Sequence, residues 1–180
     1  MQKGVAECLY AGHFLKDAHG LNFHEKLNGF KRLIDLNTRA KTNTLHISLN
    51  FHPSESLGRE KLIRSASCYM DKIGFSHQPY LVYEHRDAGH PHIHIVTTSI
   101  QEAGKRIVTQ NIGRNQSQIA RKELEKYFGL IKAEGKDQIQ RKGDEFMPTQ
   151  KNQVWKNRHK KEHHQCFEHC NQSLSLYLAP

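Results

Sequence analysis

Two runs of alternating side chains, joined through a turn at Asp-Ala-Gly, constrain this chain more than any other feature. QPYLVYEHRD (78–87) and HPHIHIVTTS (90–99) both carry β-branched and aromatic residues at period two, and Ala-Gly follows Asp87 between them. That pattern predicts an antiparallel hairpin. Alternate side chains of a strand share a face, so His92 and His94 point one way and Ile93 and Ile95 the other, into a core. With the turn over about 87–90, His85 falls opposite His92, and directly opposite residues share a face with Cβ atoms about 4.5–5.5 Å apart.

Three imidazoles therefore converge on one point. Neutral imidazole nitrogens bind transition metals, and a three-histidine set leaves coordination positions open for water or substrate. One His-x-His pair alone carries little information, because a strand histidine is commonly a half-exposed hydrogen-bonded residue. The third histidine across the hairpin makes His85, His92 and His94 candidate metal ligands. His90 sits in the turn beside Pro91, as a loop residue or a substrate contact. Asp87 has two readings: an outer acceptor that fixes the tautomer of a ligand histidine, or a plain turn residue. His46 borders the site only if its strand neighbours the hairpin.

That strand is TLHISLNF (44–51), where Leu45, Ile47, Leu49 and Phe51 alternate with polar residues. Helices are predicted over 21–37, with Leu21, Phe23, Leu27, Phe30, Leu33 and Ile34 as the apolar side, and over about 58–73, stopped by Gly74. A turn at 103–106 leads to a possible short strand at 107–110. A third helix is expected over 115–129, with Ile119, Leu124, Tyr127 and Phe128 as its apolar side and Gly129 as its stop. Strands interleaved with helices around a hairpin give an α+β fold, a central antiparallel sheet with flanking helices. One domain is expected over 1–131, a linker over 132–149, and a basic tail, helical or disordered, over 150–180.

The chain of 180 residues has 27 Lys and Arg against 18 Asp and Glu, net +9, with a mean hydropathy of −0.77. The positive excess suits a polyanionic partner. No apolar run is long enough for a membrane span or a signal peptide, so a cytoplasmic location without membrane insertion is expected. Cys8 and Cys68 then read as reduced and structural. In the tail, His159, His163, His164, Cys166, His169 and Cys170 lie too densely for an ordinary four-ligand zinc site, and a basic arm is the better reading.

HRDAGHPHIHIV (85–96) resembles the metal motif of the relaxases, the mobilization nucleases of the HUH endonuclease superfamily. The pattern His-x-Asp followed by Pro-His-x-His stands here as His85-Arg86-Asp87 and Pro91-His92-Ile93-His94. TLHISLNFHPSE (44–55), KIGFSHQPYLVYEH (72–85) and NIGRNQSQIARKELE (111–125) are similar to segments of relaxases from Bacteroidetes mobile elements. The resemblance covers about residues 3–134. It implies a central antiparallel sheet and a divalent metal, Mg²⁺ or Mn²⁺ with Zn²⁺ as a further candidate, on His85, His92 and His94. It also implies attack of a tyrosine hydroxyl on the scissile phosphate, leaving a 5′-phosphotyrosyl link and a free 3′-OH. The family's tyrosine lies before the segment that resembles KGVAECL, so its position is expected to be missing from a chain beginning Met1-Gln2-Lys3, as in a truncated product. Tyr10 is the stand-in, although its context CLYAGHF does not match. Tyr83 shares the parity of His85, as a packing residue or a second stand-in.

The implied substrate is single-stranded or hairpin-extruded DNA at a transfer origin, with accessory relaxosome proteins as further partners. Lys105, Arg106, Arg114, Asn115, Arg121 and Lys122 are candidate DNA contacts, since phosphate neutralisation supplies most non-specific affinity. Arg114 and Asn115 precede a helix start, where phosphate binding is favoured. Two other functions fit less of the sequence: a non-catalytic single-stranded DNA-binding protein that keeps the metal site, and a hydrolase of small phosphoesters.

Overall fold

The computed structural model describes residues 6–132. Four strands form one antiparallel sheet: β1 (Ala6–Gly12), β2 (Thr44–Asn50), β3 (Tyr80–His85) and β4 (His92–Thr98), in the order β1-β3-β4-β2. Three helices accompany it, α1 (Phe23–Ile34), α2 (Arg59–Lys72) and α3 (Gln116–Tyr127). This is the expected α+β architecture. None of these helices is long and apolar enough to cross a membrane.

The β3–β4 hairpin has the register its alternation predicts, with His85 opposite His92 and Tyr83 opposite His94. Odd-numbered residues of β3 thus share a face with even-numbered residues of β4. On this face Leu81, Tyr83 and Val96 pack with Cys8, Leu21 and Phe30, so α1 covers one end of it. The other face holds Val82, Ile93 and Ile95, all fully buried. α2, with seven buried residues, lies against β1 and α3 and supplies the cover there.

Local chemistry sets the helix ends. Asn22 Oδ1 accepts the Glu25 N–H at 2.9 Å and Glu25 returns a bond to the Asn22 N–H at 2.9 Å, a capping box that starts α1. Lys16 reaches the same carboxylate and holds Glu25 below the usual carboxylate range. Within α1, a Cβ at Gly29 would stand 2.3 Å from the Phe14 ring, so glycine there admits the edge-to-face Phe14–Phe30 pair. α2 stops where Gly74 takes φ +87°.

The structure corrects several expectations. β1 went unread in the sequence. Residues 107–110 form no strand; a single bridge joins Ile100 to Arg106, and Val108 is exposed. Helix α1 is shorter than 21–37, and Phe23 and Leu27 on its expected apolar side are exposed. On α3 the buried residues are Ala120 and Leu124, while Ile119 and Tyr127 face outward. Cys8 and Cys68 are free thiols. The tail and its His159–Cys170 cluster, and the linker beyond Lys132, lie outside the described residues.

Candidate metal centre

The hairpin register brings His85, His92 and His94 together, with one candidate ligand atom from each lying within 4.8 Å of the others. Ring centroids are 4.2 Å apart for His85–His94, 5.3 Å for His92–His94 and 5.5 Å for His85–His92. Ligands sharing an ion at about 2.1 Å stand roughly 3.0–3.4 Å apart, so modest side-chain rotations close the set.

Outer partners orient the rings. His92 Nδ1 lies 3.2 Å from the His90 carbonyl oxygen. A carbonyl only accepts, so in the tautomer that makes this bond the proton is on Nδ1 and Nε2 is a bare lone pair. Yet Nε2 faces Asp87 Oδ1 at 3.2 Å. A lone pair against a carboxylate oxygen repels unless a positive charge sits between them or on the ring. This donor set fits a cation: two acceptors at the spacing of neighbouring ligands, beside two more imidazoles. Asp87 is also 4.0 Å from His85 Nδ1, too far for a hydrogen bond. His94 Nδ1 is engaged by His46 Nε2 at 2.7 Å, which leaves its Nε2 for the site. Burial, followed by the neighbouring His85, His46 and His92, lowers the His94 pKa, against a smaller opposing effect of Asp87. The ring therefore stays neutral to lower pH, as a ligand must.

Edge strand β2 completes the surroundings. Ser48 stands directly opposite His94 and Asn50 opposite His92, and the condition set for His46 is met. Asn50 Oδ1 pairs with His90 Nε2 at 3.2 Å, so His90 is tied to the site's rim. Ser48 and Asn50 went unnoticed in the sequence. The alternation of 44–51 marks them as sharing a face with His46, but the pairing of β2 with β4 is not written locally.

The tyrosines divide by face. Tyr10 pairs with Val82 across β1–β3, so it lies on the face away from the histidines, with its ring 5.8 Å from that of Tyr80. Tyr83 is on the histidine face but belongs to the cluster under α1, and burial, with Cys8 beside it, pushes its hydroxyl up to about 12. Lys26 of α1 lies over this ring, 5.7 Å from its centroid.

The candidate DNA contacts are not gathered at the histidines. Lys105 and Arg106 are exposed in the turn after β4, a full strand of about 20 Å from His92. Arg114, Asn115 and Lys122 are exposed. The Asn115 N–H is spent on the Asn111 carbonyl, and its side chain does not cap α3. Arg121 is bonded to Glu125 and Gln118. Near the histidines, Arg86 is bonded to Glu84 and Glu7.

Compared with known families, residues 6–130 match the family described as Relaxase: MobA/VirD2-like, nuclease domain. No curated protein and no solved structure matches the chain.

Proposed function

The chain belongs to the relaxases, as a MobA/VirD2-like nuclease domain, and from that premise we propose that it nicks one DNA strand at a plasmid or mobile-element transfer origin by metal-dependent transesterification. The observation that supports this most is the set of three imidazoles with Nδ1 held or faced by outer groups and a carboxylate close by. A divalent ion, Mg²⁺ or Mn²⁺, held there would supply Lewis-acid polarisation of the scissile phosphate. Asp87 adds the oxygen donor that such hard ions favour over an all-nitrogen set.

The chain's residues supply the rest. His85, His92 and His94 fix the phosphate's place at the uncovered end of the sheet face. Lys105, Arg106, Arg114, Asn115 and Lys122 contribute phosphate contacts along the strand, and Arg121, already paired, contributes least. In the nicking step a tyrosine hydroxyl gives up its proton as its oxygen bonds to phosphorus, the bond from phosphorus to the 3′-oxygen breaks, and that oxygen takes up a proton and leaves as the 3′-OH. Tyr10, the stand-in that the sequence offers, lies on the opposite face of the sheet, so in this reading its hydroxyl must be brought round to the histidine side.

The face on which Tyr10 stands favours a second reading, a single-stranded DNA-binding protein that keeps the metal site and does not nick. One experiment separates them. The chain is incubated with Mn²⁺ and a labelled single-stranded origin oligonucleotide and run on a denaturing gel. A covalent adduct that disappears in Tyr10→Phe carries the first reading. Salt-sensitive binding with no adduct carries the second.

A further inference from the structure

Four imidazoles meet on this face, and the fourth has a different position from the other three. His46 comes from edge strand β2, where its direct partner on β4 is Val96. His94 is therefore its diagonal neighbour, at a Cβ separation of about 7–8 Å that only a long or aromatic side chain spans. His46 spans it, with Nε2 2.7 Å from His94 Nδ1, the ring planes within 11° of parallel and their centroids 4.8 Å apart. Facing ring nitrogens at 2.7 Å share a hydrogen bond.

Two imidazole nitrogens in such a bond share one proton, and its direction is set by what each ring must do elsewhere. If His46 donates, the neutral His94 carries its own proton on Nε2 and cannot offer that nitrogen to a cation. If His94 donates, its Nε2 is free and His46 carries its proton on Nδ1. His46 is not among the residues whose ligand atoms come together, and its facing nitrogen is already engaged by His94.

We propose that His46 is a positioning residue that accepts the His94 Nδ1–H and so holds His94 with Nε2 directed to a divalent cation. It does for His94 what the His90 carbonyl does for His92. This rests on the triad being a cation site. It adds that one ligand is oriented from outside the hairpin, by the edge strand, through a single side chain. Without His46, His94 loses its Nδ1 partner and its ring is free to turn.

Calorimetry with Mn²⁺ on the full chain tests this, using His46→Ala and His46→Gln. Mutation of such outer partners typically weakens metal affinity by about 10–100-fold, and that loss is expected for His46→Ala. His46→Gln offers an acceptor oxygen and should recover most of the affinity. Wild-type affinity in His46→Ala overturns the proposal, and so does equal loss in both variants, which would make His46 a ligand. Long-range ¹H–¹⁵N spectra of the metal-free wild-type protein give a readout that needs no variant. The His94 ring should be in the Nδ1–H tautomer, and the Nε2–H tautomer overturns the proposal. If the wild type binds no Mn²⁺, the cation reading fails, and the tautomer still tests the hydrogen bond's direction.

Discussion

One face of the sheet is divided between two kinds of surface built from the same strands. At one end Leu81, Tyr83 and Val96 pack with Leu21 and Phe30. At the other, His85, His92 and His94 lie outside that cluster, and His85 and His94 keep partial access to solvent. A single residue of β3, Glu84, separates Tyr83, whose hydroxyl is pushed up to about 12 by burial, from the candidate ligand His85. Alternation places both sets on one face and does not distinguish them. What separates them is the helix above: α1 begins at the capping box of Asn22 and Glu25, and the apolar cover begins with it.

Each half of that face should respond to substitution in its own way. Phe30→Ala should cost about 3–5 kcal/mol of stability by urea denaturation. Its folded fraction should bind Mn²⁺ nearly as the wild type does. His92→Ala should reverse the pattern, losing at least about 100-fold in Mn²⁺ affinity, roughly 2.7 kcal/mol, with a smaller change in denaturation midpoint. If both quantities fall together in either variant, the two halves are one cooperative unit and the comparison fails. Asp87→Asn keeps the shape but removes the charge, and should weaken Mn²⁺ by about 10-fold. Asn22→Ala removes the cap and should cost about 1 kcal/mol, felt in stability before metal affinity.

The smallest effect is on pH. His94 has a folded-state pKa below its unfolded value of about 6.5. Below that value the unfolded chain binds more protons, so the contribution of His94 to stability is present above about pH 6.5 and is lost as pH falls through the folded pKa. The urea midpoint of the metal-free protein should drop between pH 7 and pH 5, and less so in His94→Gln.

The hairpin and its three histidines were legible because period two and a short turn fix parity without any knowledge of the rest of the chain. His46 was legible only as a condition, since strand order is a long-range property. β1 was not legible. Its residues AECLYAG pair with β3, but the register shifts between Cys8 and Tyr10, so the alternation that marks a strand is broken within seven residues. The supposed strand at 107–110 erred the other way, with an apolar pair, Ile107 and Val108, taken for burial that Val108 does not have.

That shift in β1 has a consequence for the nucleophile. Cys8 stands opposite Tyr83 on the histidine side, and in an unbroken ladder Tyr10 would follow opposite Leu81, on the same side. The extra residue, Leu9, sets Tyr10 opposite Val82 instead. One unmatched residue thus acts as a phase change in a wave of period two: everything after it is seen from the other side. Deleting Leu9 would close the bulge and leave Tyr10 opposite Val82; only drawing Leu9 into the ladder would carry the phenol to the histidine side, a change of address made without altering the tyrosine itself.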